Sequence, residues 1–211
     1  MREHTEIVLL LDTSGSMGPL VSETTLAINS FVDQQKRLGA NATFSMFTFS
    51  TNVLPFYPPM PIEMVQPISI IVTGGMTALL DAVATTIDET GKRLRALDEK
   101  DRPNKVVFVV LTDGHENMST KHNKDAVLAR IAHQKTKYGW QFLFLGADAD
   151  AFEDAAMMGI GYAQAMSWEP HRPGGIMRGL ASASNAVSEY RSNNTSEAVY
   201  SSVDRVLNNS K

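Results

Sequence analysis

Asp12, Ser14 and Ser16 stand two residues apart in the stretch LLLDTSGSMG, which runs from Leu9 to Gly18. The aspartate ends an apolar run, and hydroxyls fill the turn that follows. A carboxylate with hydroxyls at alternate positions suits four different tasks. It can cap a helix beside ordinary turn residues. It can supply an aspartyl nucleophile that accepts a phosphoryl group. Ser16 can be a nucleophile on a strand-to-helix elbow. The group can also be one half of a cage of hard oxygen ligands around a divalent cation. Gly15 would let the backbone bend so that several side chains point inward from one tight turn.

The enzyme readings each lack a part. An aspartate-based phosphatase normally carries a second acid two residues on, and that position is Ser14. SGSMG approximates G-x-S-x-G, but Ser14 replaces the first glycine. A serine triad would also need a late histidine, and only His171 fits by order. No G-x-x-x-x-G-K-[ST] phosphate loop occurs. A metal-assisted hydrolase or phosphatase using Asp12 or Ser16 remains the alternative to a binding module.

Two further stretches favour the cage. KVVFVVLTD is a second apolar run ending on a carboxylate, Asp113, and TGGMTALLD places Thr77 at a glycine-rich entrance to a helix. Taken singly, Thr77 reads as a helix N-cap and Asp113-Gly114 as a turn. Ligands of open α/β sheets sit beyond the carboxyl ends of the strands. If the first strand lies beside the Lys105 strand, one crevice gathers Asp12, Ser14, Ser16, Thr77 and Asp113. Two carboxylates and three hydroxyls, without imidazole or thiolate, select Mg²⁺, Mn²⁺ or Ca²⁺ over zinc or copper. Nearby, Glu116 could tune the metal but reads as a solvated loop residue, and His115 and His122 read as exposed rather than as a zinc pair.

The elements that must position these residues alternate. Strands are expected at Glu6 to Leu11, around Phe44 to Phe49, at Lys105 to Asp113, in WQFLFLGAD and in YAQAMSW. Helices are expected at Pro19 to Leu38, with a stripe of Leu26, Phe31, Val32 and Leu38, then at Thr77 to Leu97, Lys124 to Tyr138, Ala149 to Met158 and Pro173 to Arg191. The proline-rich TNVLPFYPPMP suits only a sheet edge. Met157 and Met158 read as packed against the sheet, and Trp168 and His171 as recognition or packing residues. Strands apolar throughout, alternating with helices, indicate a parallel sheet covered on both faces.

Composition agrees with one globular domain. The chain has 211 residues, 43% of them hydrophobic and 20% charged, with a net charge of −4. That charge and the lack of a dense basic run favour neither nucleic acid nor an anionic membrane as partner. There is no cysteine, which removes disulfides, thiolate zinc sites and thiol catalysis. No segment reads as a signal peptide or membrane helix, so a cytoplasmic protein is expected.

DTSGSMG resembles the D-x-S-x-S loop of von Willebrand factor A-type domains, GGMTAL their threonine loop, and VLTDGHEN their TDG loop. The order matches over about Thr5 to Arg191. The resemblance implies a Rossmann-like α/β domain over residues 1–192. A tail over 193–211, with a short amphipathic helix from Ala198 to Leu207, is read from the residues themselves, from the break at SNNTSE and from Val199, Val203, Val206 and Leu207. The resemblance implies a mostly parallel six-stranded sheet in the order 3-2-1-4-5-6, with the third strand an antiparallel edge. The five side chains would form a metal-ion-dependent adhesion site. Ser14 and Ser16 would bind Mg²⁺ directly, Thr77 directly or through water, and Asp12 and Asp113 largely through water. The metal would then take an Asp or Glu carboxylate from a protein partner, without chemistry. Cysteine-free members of this size resemble bacterial or phage proteins.

Overall fold

The computed structural model describes residues 3–39, 41–147, 150–170 and 172–204. Strand β1 (Thr5–Asp12) is buried along its whole length. It lies at the centre of a six-stranded sheet of order β3-β2-β1-β4-β5-β6, as expected. Its parallel neighbours are β2 (Ala42–Phe49) and β4 (Lys105–Thr112). β5 (Gln141–Ala147) and β6 (Ala165–Trp168) continue the parallel set. β3 (Val53–Pro61) pairs antiparallel with β2 at the edge, where its four prolines interrupt no second ladder.

The pleat divides the core. Ile7, Leu9 and Leu11 face helices α1 (Val21–Arg37) and α5 (Gly175–Arg191). Val8 and Leu10 face α2 (Leu79–Arg95), α3 (Lys124–Tyr138) and α4 (Ala151–Met157). Asp12 and Thr112 continue the second row, because strand side chains repeat every two residues. β1 and β4 run in matched register, Leu11 opposite Leu111, so these two polar side chains meet at the carboxyl end.

Several elements differ in detail from expectation. A 3₁₀ turn over Gly15–Leu20, with Pro19 inside it, precedes α1. The buried row of α1 is Thr24, Ala27, Ile28, Phe31, Val32 and Gln35. Leu26 lies outside that row and is 61% exposed, and Leu38 follows the helix and is 45% exposed. Gln35 replaces them as a polar member of the interface, donating to the Ser184 carbonyl and hydroxyl on α5. Trp168 is fully buried, so it packs and does not recognise, and Met158 is buried too. Residues beyond α5 are not helical through Ser201; Ala198 and Tyr200 are buried, and the Tyr200 N–H donates to the Ala163 carbonyl. The remainder of the expected helix, from residue 205 on, and His171 lie outside the described residues. No helix among the described residues is long and apolar enough to cross a membrane.

α5 has no cap of its own. Gly174 enters it at φ 77°, and the Glu23 carboxylate of α1 accepts from the Gly174 and Met177 N–H groups. At the amino-terminal end of the sheet, Glu6 is buried with one oxygen 2.5 Å from the Arg93 guanidinium of α2. Burial pushes the Glu6 carboxyl up to about 7, against the pull of Arg93. A carboxyl raised in the folded state contributes stability that is whole below about pH 4.5 and is lost as pH rises through about 7. Glu6→Gln should remove that dependence and leave the variant more stable than wild type at pH 8 by roughly 1–3 kcal/mol. Denaturant melts at pH 5 and pH 8 test this; an equal pH dependence in both proteins would refute it.

Candidate metal centre

Three loops meet above the carboxyl ends of β1 and β4. Asp12 is wholly enclosed, with both oxygens engaged. Oδ1 accepts the Ser14 N–H at 2.7 Å, and Oδ2 accepts the Thr112 hydroxyl at 2.6 Å. The carboxylate therefore shapes the turn after β1 and does not cap the helix beyond it. Ser14 is buried and Ser16 exposed, and their hydroxyl oxygens lie 3.1 Å apart. Ser16 donates to Asp113 Oδ1 at 2.8 Å. The first and third loops are thus joined by a row of oxygens that deepens from Ser16 to Asp12.

The second loop is drawn in by its backbone. Gly15 N–H donates to the Gly75 carbonyl at 3.1 Å, and Gly74 N–H to the Thr13 carbonyl at 2.8 Å. Gly75 has φ 83°, and a Cβ there would stand 2.8 Å from the Thr51 hydroxyl, so glycine is required on both counts. Thr77 is buried, with its hydroxyl against Gly114, where an added Cβ would approach it to 3.2 Å.

Thr77 is not the cap of α2. The Leu80 N–H is taken by Glu116 Oε2 at 2.8 Å and the Asp81 N–H by the Ser119 hydroxyl at 3.0 Å. Asn117 closes a reciprocal pair with Thr77: its side-chain oxygen accepts the Thr77 N–H, and its own N–H donates to the Thr77 carbonyl. Glu116, expected as a solvated residue, also accepts from the Met118 and Ser119 N–H groups and the Ser119 hydroxyl. The Asp81 carboxylate, on the first turn of α2, gathers the N–H groups of Thr120, Lys121 and His122. Sequence reading singled out neither function. The one available signal was an acid in the first turn of a helix beside a polar loop.

His115 points away to Asp154 and Asp150, at 3.2 and 3.3 Å, and does not pair with His122. Among the described residues no group of three His, Asp or Glu side chains converges to hold an ion. The five-oxygen set is of another kind, dominated by neutral hydroxyls. Adjacent ligands of an octahedral Mg²⁺ at ~2.1 Å stand about 3.0 Å apart. The Ser14–Ser16 spacing of 3.1 Å fits such an edge. The Ser16 proton is directed to Asp113, so Ser14 donates within the hydroxyl pair and Ser16 keeps a lone pair for a cation. Burial pushes both Asp12 and Asp113 up; hydrogen bonds from Thr112 and Ser14 oppose this at Asp12, and one from Ser16 opposes it at Asp113. The neighbouring Asp113 charge raises Asp12 further. A divalent cation would counter these effects and favour the ionised pair.

No protein-family model and no curated protein matches the sequence. Solved structures do match in shape. Proximal thread matrix protein 1 from the mussel byssus has a TM-score of 0.59 at 14% identity, over 90% of this chain and 46% of that one. The PilB minor pilin of Streptococcus sanguinis gives 0.61 at 11% identity, over 90% and 62%. A von Willebrand factor type A structure from Catenulispora acidiphila gives 0.59 at 14% identity, over 88% and 43%. With the sheet order and its antiparallel edge, that likeness decides the architecture.

The fold is that of a von Willebrand factor A domain.

The chain spans less than half the length of the mussel and Catenulispora proteins. Proximal thread matrix protein 1 also has a structure with a zinc-occupied MIDAS motif, matched at TM-score 0.53 and 14% identity over 79% of this chain and 41% of that one. Within the A-type fold seen here, Glu116 and Asn117 hold the Thr77 loop in place. Glu116→Ala should therefore cost about 1–3 kcal/mol. It should also speed amide exchange at Leu80, Met118 and Ser119, while His115→Ala stays within ~0.5 kcal/mol of wild type. Protection at those three amides unchanged by Glu116→Ala would refute the assignment.

Proposed function

We propose that the chain is a metal-dependent protein-binding module. Ser14 and Ser16 would hold the ion directly, Thr77 directly or through water, and Asp12 and Asp113 from behind, largely through water. The carrying observation is the hydroxyl pair 3.1 Å apart whose outer member gives its proton to Asp113. Spacing and donor hardness favour Mg²⁺, with Mn²⁺ close behind and Ca²⁺ less well matched. Bound there, the ion would offer a position to an Asp or Glu carboxylate of a protein partner. Neutral hydroxyls leave it electron-poor and so receptive to that anion. The zinc in the mussel protein's MIDAS motif supports a metal-holding role for this kind of site.

The proposal assigns no chemistry to the site. Asp12 has no exposed surface, and its two oxygens already accept from the Ser14 N–H and the Thr112 hydroxyl, so the carboxylate is sheltered from an electrophile in solution. The Ser16 hydroxyl donates to a carboxylate and not to an imidazole, and the neighbouring His115 is turned to Asp150 and Asp154. The reading extends to a bacterial or phage protein working in the cytoplasm.

Thermal melts in Mg²⁺ and in EDTA test the metal. At about 100 times the dissociation constant, Mg²⁺ should stabilise the wild type by about 2.7 kcal/mol. Asp12→Asn keeps an acceptor for the Ser14 N–H and removes a buried charge, so in EDTA it should melt at or above the wild-type temperature. In Mg²⁺ it should gain nothing. A variant that responds to Mg²⁺ as wild type does would refute the metal site.

A further inference from the structure

At the opposite end of the sheet, between α2 and α3, lies a cavity of 260 Å³. That is near the lower end of the ~300–1,000 Å³ typical of small-ligand pockets. Leu94, Val106 and Trp140 are its buried apolar part, and Arg95, Arg102 and His133 its exposed part. Among the described residues, no acidic side chain lines it. An apolar floor under three basic groups is an arrangement for a ligand that is apolar at one end and anionic at the other.

The parts are held in place. Trp140 stacks on Phe108 with centroids 5.4 Å apart, so its indole is a fixed wall. Arg102 donates through Nε to the Leu97 carbonyl and through Nη2 to the Arg95 carbonyl, which fixes the plane of its guanidinium. The space itself depends on Gly91, in the middle of α2, where glycine is unfavourable by roughly 0.5–1 kcal/mol against alanine. A Cβ at Gly91 would meet Gln134 Nε2 at 3.7 Å and Trp140 Cη2 at 3.8 Å, both ordinary contacts. Packing therefore does not demand glycine there, while any longer side chain would enter the cavity. Gln134, another lining residue, has a buried amide oxygen with no hydrogen-bond partner. That oxygen is turned away from the open space, and the amide nitrogen is the atom nearest Gly91.

We propose that this cavity binds a small aromatic anion. Its ring would lie against Trp140 and Leu94, and its carboxylate or phosphate at Arg95 and Arg102. The proposal is independent of the metal centre, which lies beyond the other ends of the same strands.

Calorimetric titration, with tryptophan emission followed in parallel, tests it. The only other tryptophan, Trp168, is buried on the opposite face of the sheet, so a ligand-dependent change reports Trp140. Four probes separate the contributions: 4-hydroxybenzoate as aromatic carboxylate, adenosine 5′-monophosphate as aromatic phosphate, indole as uncharged ring, and inorganic phosphate as anion without a ring. At least one aromatic anion should saturate the signal and bind at least about tenfold more tightly than indole or inorganic phosphate. Which of the two does so assigns the class. Arg95→Gln, at an exposed side chain, should fold normally and weaken that binding by about tenfold or more. Gly91→Leu should abolish it by filling the space. Failure of both aromatic anions to bind, or binding unaltered by Arg95→Gln, would overturn the proposal.

Discussion

Asp12 is out of contact with water, and each of its oxygens accepts a hydrogen bond from a different strand end. A carboxylate desolvated to this degree loses several kcal/mol unless donors replace the water. The donors here are the Ser14 amide in the turn after β1 and the Thr112 hydroxyl at the end of β4. Satisfying one charge therefore bends the first loop and ties it to the third. The matched register of β1 and β4 makes this possible, since it brings residues 12 and 112 onto one face at one level. A one-residue slip would turn the carboxylate toward α1 and α5, away from the Thr112 hydroxyl.

Above that anchor, different side chains have different work. Ser14, Ser16 and Asp113 are linked through their side-chain oxygens, and the Thr77 hydroxyl lies against Gly114. Glu116, Asn117, Ser119 and Asp81 are spent on backbone amides of the second and third loops. The division leaves the Thr77 hydroxyl free of capping duty at a helix start, where threonine usually serves that end. It also means that the loops are shaped before any ligand arrives, so less ordering opposes binding.

The sequence made some of this legible and hid the rest for physical reasons. The central runs of β1, β4 and β5 are apolar because helices cover both faces, and such runs can be read directly. α3 has the expected limits because Asn123 caps it with its side chain and Gly139 ends it at φ 67°. The three loops were found through residue type and order alone. The loop anchors are hidden because Glu116, besides two local amides, and Asp81 act on amides 36 to 41 residues away, and no local pattern encodes such a reach. Phe31 and Val32 of the expected α1 stripe are buried and Leu26 and Leu38 are not, and polar Gln35 joins the row through bonds to α5 that one helix cannot reveal. Ala198 and Tyr200 are ordinary in sequence, and only the site they fill beside residue 163 makes them core residues.

The edges of the sheet carry a consequence for life in crowded surroundings. On one side β3 brings Pro55, Pro58, Pro59 and Pro61, four positions with no N–H to offer a further strand. On the other, β6 is four residues long, and the chain near Tyr200 has already bonded to the Ala163 carbonyl just before it. The proline-rich border is a poor template on which a second copy could extend the ladder, and the short β6 offers little length on the other side. Copies held side by side at high density would find few amides to share along β3.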